Sequence, residues 1–478
     1  MGIQMEQARK GSFMIIAILI VGNFLALINE TVMNVALPKI IDDFGISANT
    51  AQWLSTGYML MIGIAVPITA FLMQRFTTRQ LFLSAMTLFT AGTLLAGIAP
   101  VFPLVLAGRI IQGSGTGLIL PLVMNVILTL IPPQKRGTMT GILTLVILFA
   151  PAIGPVISGY IVEHYSWRVV FFMMLPVSVF MIFYAAFRLK NVTELTYPKI
   201  DILSILLSTV GFGGIVFGFS NAGEAAGWSS PKVIIGLAAG VIGLILFVMR
   251  QLRLEVPMLD MRPFRSKIFS ISVILMWIVM MLQFSMMLIL PLYFQMALEL
   301  SPLYTGILML PGGLVLAMTS LVAGRLFDKL GFKPLLITGL IIVIAVLSLF
   351  TNISSDTPMA VGMMLYAGFT LGVGLTMAPI MTLGLNQVPK PLYPHGSAIM
   401  NTVNQVSGAI GPALYTTILT TVSNRFIAHS SGGSRQELHM QGMTEGVHMV
   451  YFVAIAFAAA ALAISVFVKS RRAEQHAA

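Results

Sequence analysis

Long apolar stretches separated by short polar breaks run from one end of this chain to the other. Fourteen can be counted, at roughly 13–37, 51–74, 80–99, 103–131, 137–162, 168–188, 201–221, 231–250, 268–296, 304–327, 334–351, 358–386, 396–422 and 447–468. Apolar runs of about eighteen residues or more read as helices that cross a bilayer, and the period-two alternation of a membrane β-strand is absent. The pattern predicts an all-α membrane protein with an even number of spans, so both termini lie on one side. The longest break, about 423–446, is rich in Ser, Gly and His (HSSGGSRQELHMQG). It is expected to be mobile or to form a short amphipathic hairpin.

The pattern repeats. GLILPLVMNVILTLIPPQKRG…AIGPVISG in spans 4 and 5 parallels GLTMAPIMTLGLNQVPKPLYPHG…AIGPALYT in spans 12 and 13. Pro132 pairs with Pro389, Gly137 with Gly396 and Pro155 with Pro412, at offsets of 257, 259 and 257. MQRFTTRQ (73–80) likewise matches FDKLGFKP (327–334) at an offset of 254. Two related halves are a transporter plan, with a substrate site near the midplane between them. The expected division is a six-helix half over 1–190, an inserted pair (spans 7 and 8) with its linkers over 191–262, and a second six-helix half over 263–478.

Composition agrees with a membrane protein. Of 478 residues, 57% are hydrophobic and 9% charged, and the mean hydropathy is +0.95. The basic start, Arg9 and Lys10, leads into a full-length span with no cleavage site, so no removable signal is expected. With no cysteine there is no disulfide, thiolate nucleophile or iron–sulfur cluster to consider. The net charge of +11 follows topology: 21 of the 27 Lys and Arg fall in the loops and tails on the side of the termini, five on the opposite side, and Arg109 inside a span. Basic residues stay inside, so both termini are expected in the cytoplasm and no nucleic-acid partner is needed.

One carboxylate lies well inside a span. Glu30 follows Phe13 by 17 residues and precedes Pro38 by 8, about 12 Å below the end of its helix. Arg109 follows Pro103 by 6 residues, about 9 Å deep from the same side. Charges at such depth are costly and mark function. Two readings stand: a static ion pair that fastens two helices, or a pair that loads and releases a proton as burial and the neighbouring guanidinium pull the carboxyl in opposite directions.

Five motifs, in order, resemble the major facilitator superfamily in its fourteen-helix drug:proton antiporter branch. They are INETVMNVALPKI in helix 1, LAGRIIQGSGTG (106–117) in helix 4, APAIGPVISG (150–159) in helix 5, SWRVVFFMMLPV (166–177) before helix 6 and GRLFDKLGFKP (324–334) between helices 10 and 11. The likeness implies a major facilitator bundle of two six-helix halves plus two inserted transmembrane helices. It favours the proton role for Glu30 and Arg109. It implies an antiporter motif at Gly154, Pro155, Ser158 and Gly159, which packs against the other half, resists leak and gives the direction of export. It also implies a gating loop at Gly324, Arg325, Asp328 and Gly331, with a first-half copy at Gln74 and Arg75. Two places depart from the pattern. The helix-1 acid usually stands at Asn29, one step before Glu30, and Gln74 and Thr77 replace the Asp and Gly of the loop.

The expected pocket draws on Asn29, Asn34, Tyr58, Gln112, Asn125, Gln283, Phe284, Asn401, Asn404 and Gln405, with Asn23, Gln295, Trp53 and Trp277 beside them. Asn401, Asn404 and Gln405 share one helix face. An amide in hydrocarbon seeks a partner, so each is either an interhelical bond or a pocket group. The 33 methionines suit adaptable apolar contacts. No histidine lies deep in a span, so no metal is expected. No phosphate-binding glycine loop is present, so no cofactor is expected, and energy comes from an ion gradient, a proton gradient by the resemblance. The expectation is a non-enzymatic, monomeric antiporter of the cell membrane that exports small lipophilic compounds, neutral or monocationic. The alternatives are a lipid flippase or a transporter of one specific metabolite.

Overall fold

The computed structural model describes residues 2–131, 133–189, 191, 201–222, 227–255, 257–353, 357–389, 392–430 and 435–467, without the side chains of 2–13, 133–142, Asp328 and a few others. Among these residues there are helices and turns but no strand. The long helices are α1 (Gly2–Phe44), α2 (Trp53–Arg75), α3 (Thr78–Ile98), α4 (Phe102–Leu130), α5 (Pro133–His164), α6 (Met174–Arg188), α7 (Ile202–Asn221), α8 (Pro231–Arg253), α9 (Lys267–Met296), α10 (Pro302–Leu330), α11 (Phe332–Phe350), α12 (Met359–Leu385), α13 (Tyr393–His429) and α14 (Arg435–Phe467). Eleven helices among the described residues are long and apolar enough to cross a membrane.

Helix ends follow local chemistry. Ser266 caps α9 by accepting from Phe269 N at 3.3 Å, and Asp201 caps α7 through Ser204 N at 3.2 Å. Thr77 and Gln80 form a capping box at the start of α3. Gly331 alone separates α10 from α11, at φ 78°, a conformation that an L side chain resists. Of the expected 423–446 break, residues 423–430 and 435–446 are described, and all but Ser430 are helical. α13 continues to His429 and α14 begins at Arg435, and the two extensions pack with Gly442 against Ser423 and Ile427. Hydropathy marks only the part of a helix inside hydrocarbon, whereas the backbone ladder continues into the polar zone. The same reason carries α1 on to Phe44, past Pro38.

We call the end of the bundle where α1 finishes the distal end. Within the first six helices α3 packs on α4, α2 on α4 and α1 on α5; within the last six α10 packs on α12, α11 on α12 and α9 on α13. The inserted helices α7 and α8 pack tightly on each other. Small residues bring them together: a Cβ on Gly214 would collide with Gly240, and one on Gly243 with Gly211. The two sets of six meet along two seams, α5 with α10 and α2 with α13. Along the first, a Cβ on Gly306 would meet the carbonyl of Pro155, and one on Gly313 would meet Ala152. At the distal end Glu163 Oε2 accepts from Ser301 Oγ at 2.5 Å and from Leu303 N at 2.9 Å, so a carboxylate on α5 caps the start of α10. Gln295 Nε2 of α9 donates to Val35 O of α1 at 3.0 Å.

Candidate functional site

Glu30 and Arg109 face each other across the α1–α4 contact. Glu30 is 7% exposed and Arg109 0%. Their charges feel one another, but they are not in contact: no ion pair within 4 Å joins them among the described residues. The guanidinium is held elsewhere. Arg109 Nε donates to Leu54 O at 3.0 Å, and Nη1 donates to Gln112 Oε1 at 3.1 Å and Asn29 O at 3.4 Å. Its Cζ lies 4.0 Å from the centre of the Tyr58 ring, a cation–π contact in a desolvated site. Arg109 Nη2 has no hydrogen-bond partner in the structure.

The groups that hold Arg109 are themselves pinned. Tyr58 Oη is 2.8 Å from Thr116 Oγ1 and donates to Ala26 O at 3.1 Å. Gln112 Nε2 donates to Thr93 Oγ1 at 2.7 Å. Thus α1, α2, α3 and α4 each contribute to one buried polar cluster. Asn29 sits in it at 0% exposure, with neither side-chain polar atom partnered. Thr93 and Thr116 were not singled out from the sequence. A threonine inside a helix commonly bonds back onto its own backbone, so its spacing alone does not announce a second partner.

The helix-5 motif lies beside this cluster. Gly154 abuts Thr31, the residue after Glu30, and Ser158 Oγ donates to Val32 O at 2.6 Å. Gly159 faces Pro302 and Leu303 of α10, and Pro155 faces Gly306. One short stretch therefore touches both the helix with the buried acid and a helix of the last six.

The amide candidates divide. Asn34 accepts from Ser55 Oγ at 2.8 Å, and Asn125 Nδ2 lies 3.3 Å from Met73 Sδ. With Gln112 and Gln295, these are interhelical bonds. Asn23, Gln283, Asn404 and Gln405 keep buried atoms without a partner. Asn401 is half-buried on the face of Asn404 and Gln405, and Phe284 packs over Gly408. An open apolar groove of about 490 Å³ lies between α1 and α5, lined by Ile20, Phe24 and Val146 with the exposed Val21 and Phe149. None of the expected pocket residues lines it. A search for polar groups overlooked it because an apolar wall carries no signal against an apolar helix.

Gln74 and Arg75 end α2, and Thr77, a departure from the loop pattern, is the side-chain cap of α3. Gly324 and Arg325 are exposed near the end of α10. The side chain of Asp328 lies outside the described residues, as do Pro132 and the linker 192–200.

A profile of the Major Facilitator Superfamily matches residues 19–412. The chain belongs to this superfamily. It is 44% identical over 452 residues, 94% of each chain, to "Lincomycin resistance protein LmrB" of Bacillus subtilis (strain 168). It is 42% identical over 458 residues to the protein of the same name from Listeria monocytogenes, covering 96% of this chain and 97% of that one. A "Multidrug resistance protein B homolog" of Mycobacterium tuberculosis is 27% identical over 406 residues, 84% of this chain and 75% of that one. Among solved structures, a bacterial homologue of the lysosomal transporter Spinster, inward-facing and unoccupied, superposes with a TM-score of 0.67 at 15% identity, covering 95% of this chain and 96% of that one. The peptide transporter POT in complex with sulfate gives 0.68 at 17%, covering 96% and 94%. These superpositions carry the fold. This superfamily member is therefore an all-helical, multi-pass membrane transporter.

Proposed function

We propose that this superfamily member is a proton-coupled antiporter that exports small lipophilic compounds, neutral or monocationic, from the cytoplasm by alternating access. On this reading all fourteen long helices cross the cell membrane, two six-helix halves rock about the central site, and both termini are cytoplasmic, which makes the distal end the outer one. The observation that carries it is the arrangement of Glu30 and Arg109: two buried charges on adjacent helices, within each other's field, with the guanidinium held by Tyr58, Gln112 and Leu54 instead of by the acid. A carboxyl not locked in contact with a cation can take up a proton and give it up as its surroundings change. A locked pair would stay ionised. The relatives named for lincomycin and multidrug resistance support the substrate class, and the open apolar groove between α1 and α5 is compatible with lipophilic cargo.

The test is transport in proteoliposomes under an imposed pH gradient. Lincomycin is the first probe, followed by a panel of neutral, cationic and anionic compounds. Glu30→Gln is expected to abolish gradient-driven export and leave binding largely intact. Unchanged coupled transport in that variant would remove Glu30 from the mechanism. The open apolar groove also favours a second reading, movement of a lipid between leaflets. That reading gains if labelled phospholipid crosses the bilayer and lincomycin does not.

A further inference from the structure

The inserted pair α7–α8 is fastened to the rest of the molecule at two places, and both involve α13. At the proximal end, Arg250 binds the Asp201 carboxylate, with Nη2 2.8 Å from Oδ1, and Gln251 Nε2 donates to Ser204 Oγ at 2.6 Å. Gln251 Oε1 then accepts from Leu259 N at 3.1 Å, in the linker that follows α8. The next linker residue, Asp260, donates its backbone N–H to His395 Nδ1 at 3.2 Å, at the start of α13. At the distal end Thr417 Oγ1 of α13 donates to Phe219 O of α7 at 2.9 Å.

The last turn of α7 also reaches the first half. Gln52 Nε2, at the start of α2, donates to Ser220 Oγ at 3.0 Å. Asn49 Nδ2 donates to Ser220 O. Thr417 Oγ1 lies 3.4 Å from Asn49 Oδ1, and Thr56 Oγ1 donates to Gln52 Oε1 at 3.3 Å. Trp53 packs on Phe217 with ring centres 6.3 Å apart. Asn49, Gln52, Thr56, Ser220 and Thr417 are all buried. Just below this knot α2 and α13 touch directly: a Cβ on Gly408 would strike Met59, and one on Gly63 would press on Val406.

We infer that the inserted pair moves with α13 as part of the second half, and that the end of α7 is a latch that closes the distal α2–α13 seam by binding Asn49 and Gln52. The pair's links to α13 lie at both ends of the bundle, whereas among the described residues its hydrogen bonds to the first half, from Asn49 and Gln52, lie at the distal end. A body tied at both ends to one partner and at one end to the other parts at the single tie. When the distal seam opens, Ser220 keeps Thr417 as a neighbour and gives up Gln52 and Asn49 to water, which satisfies the exposed amides at little cost. Closing the seam buries these groups again, and each finds a partner.

This inference rests on the alternating-access reading, so the test includes a measurement that does not depend on transport. The chain has no cysteine, so introduced thiols report without background. Spin labels at Tyr165→Cys and Met359→Cys, exposed at the distal ends of the two halves, report the width of that opening by pulsed electron resonance. Gln52→Leu is expected to raise the population of the longer distance several-fold. Arg250→Gln, which cuts a bond inside the inserted pair, is expected to leave the distribution unchanged. An unchanged distribution in Gln52→Leu overturns the latch. Transport of lincomycin then tests which half carries the pair. A short bis-methanethiosulfonate bridge across Gln52→Cys/Ser220→Cys is expected to stop export, reversibly on reduction. The same bridge across Ser220→Cys/Thr417→Cys is expected to leave export running. Blockage by the second bridge, or export despite the first, overturns the assignment of the pair to the second half. If no unbridged variant exports lincomycin while the label distances shift as expected, the latch stands and the substrate reading fails.

Discussion

Corresponding places in the two halves of the repeat are built from different chemistry. On α4, Arg109 lies against the ring of Tyr58 on α2. At the repeat offset of 257 the residue on α12 is Tyr366, and at the α2–α10 offset of 254 the counterpart of Tyr58 is Gly312. The second half therefore presses a buried phenol ring against a glycine, and a Cβ at Gly312 would strike that ring. In both halves an aromatic ring fills the crossing between the paired helices. In one half a cation shares the space, and in the other a glycine makes room. The fold needs the volume filled; only the first half also places a charge there. The buried acid also has no acidic counterpart: at offsets of 254 and 257 from Glu30 stand Phe284 and Met287. The first half has Glu30 on α1, whereas α9 offers Gln283, an amide with an unpartnered oxygen.

The comparison breaks most sharply at the charge. Arg109→Gln is expected to abolish gradient-driven export and lower stability by about 3 kcal/mol, because the buried Leu54 O and Gln112 Oε1 lose their donor and the Tyr58 ring its cation. Tyr366→Phe, at the matching place, is expected to cost about 1 kcal/mol or less and leave the pH dependence of export alone. Denaturation in detergent alongside proteoliposome transport reads both. Next comes the space itself. Gly312→Val is expected to destabilise by about 1–3 kcal/mol, since the new side chain meets the Tyr366 ring in a packed interior. Tyr58→Leu should cost about 1–2 kcal/mol through loss of the ring face under Arg109, and Tyr58→Phe less, which separates the ring from its hydroxyl.

A smaller effect distinguishes the two inter-helix loops. Gly331→Ala is expected to cost about 1 kcal/mol, from the φ of 78°. Thr77→Ala is expected to cost about as much for another reason, the loss of a cap; Thr77→Ser should restore it and Gly331→Asn should partly do so. The smallest effect is at the exposed distal carboxylate. The hydrogen bond from Ser301, with that from Leu303 N and the nearby His164 ring, holds the Glu163 carboxyl below the ordinary glutamate range. A lowered value means that the ionised form is favoured when the cap is made. The cap is fully present above the ordinary glutamate range and is lost as pH falls through the lowered value. Distances between labels on α5 and α10 should therefore hold at neutral pH and lengthen only in strong acid.

How much of this was legible in the sequence depends on the range of the interaction. Every span counted from hydropathy corresponds to a long helix, because a chain in hydrocarbon must satisfy its backbone within the segment; where the helix runs on into the polar zone, hydropathy is silent. That Glu30 and Arg109 come to one level of the bundle was legible because rise per residue is fixed. That they do not touch was not legible: the guanidinium goes to Leu54 and the Tyr58 ring, one turn apart on α2, and to Gln112 on its own helix. Asn34, Gln112 and Gln295 read equally as pocket groups or braces, and only their partners decide for braces. Thr77 looked like a flaw in a loop pattern until its hydroxyl was seen at the head of α3. Ser220 and Glu163 gave no signal, since their partners lie 168 and 138 residues away and a serine or glutamate near a helix end is ordinary.

The α5–α10 seam is made largely of backbone: Gly306 on Pro155, Gly159 on Pro302 and Gly313 on Ala152. Surfaces without long side chains have few rotamers to re-sort when they separate. If the two halves rock as proposed, such a joint would serve as a plain bearing, parting and reseating along the same track. An added methyl group on that track, at Gly306, would strike the Pro155 carbonyl only while the joint is shut, and would therefore push the equilibrium toward the parted form.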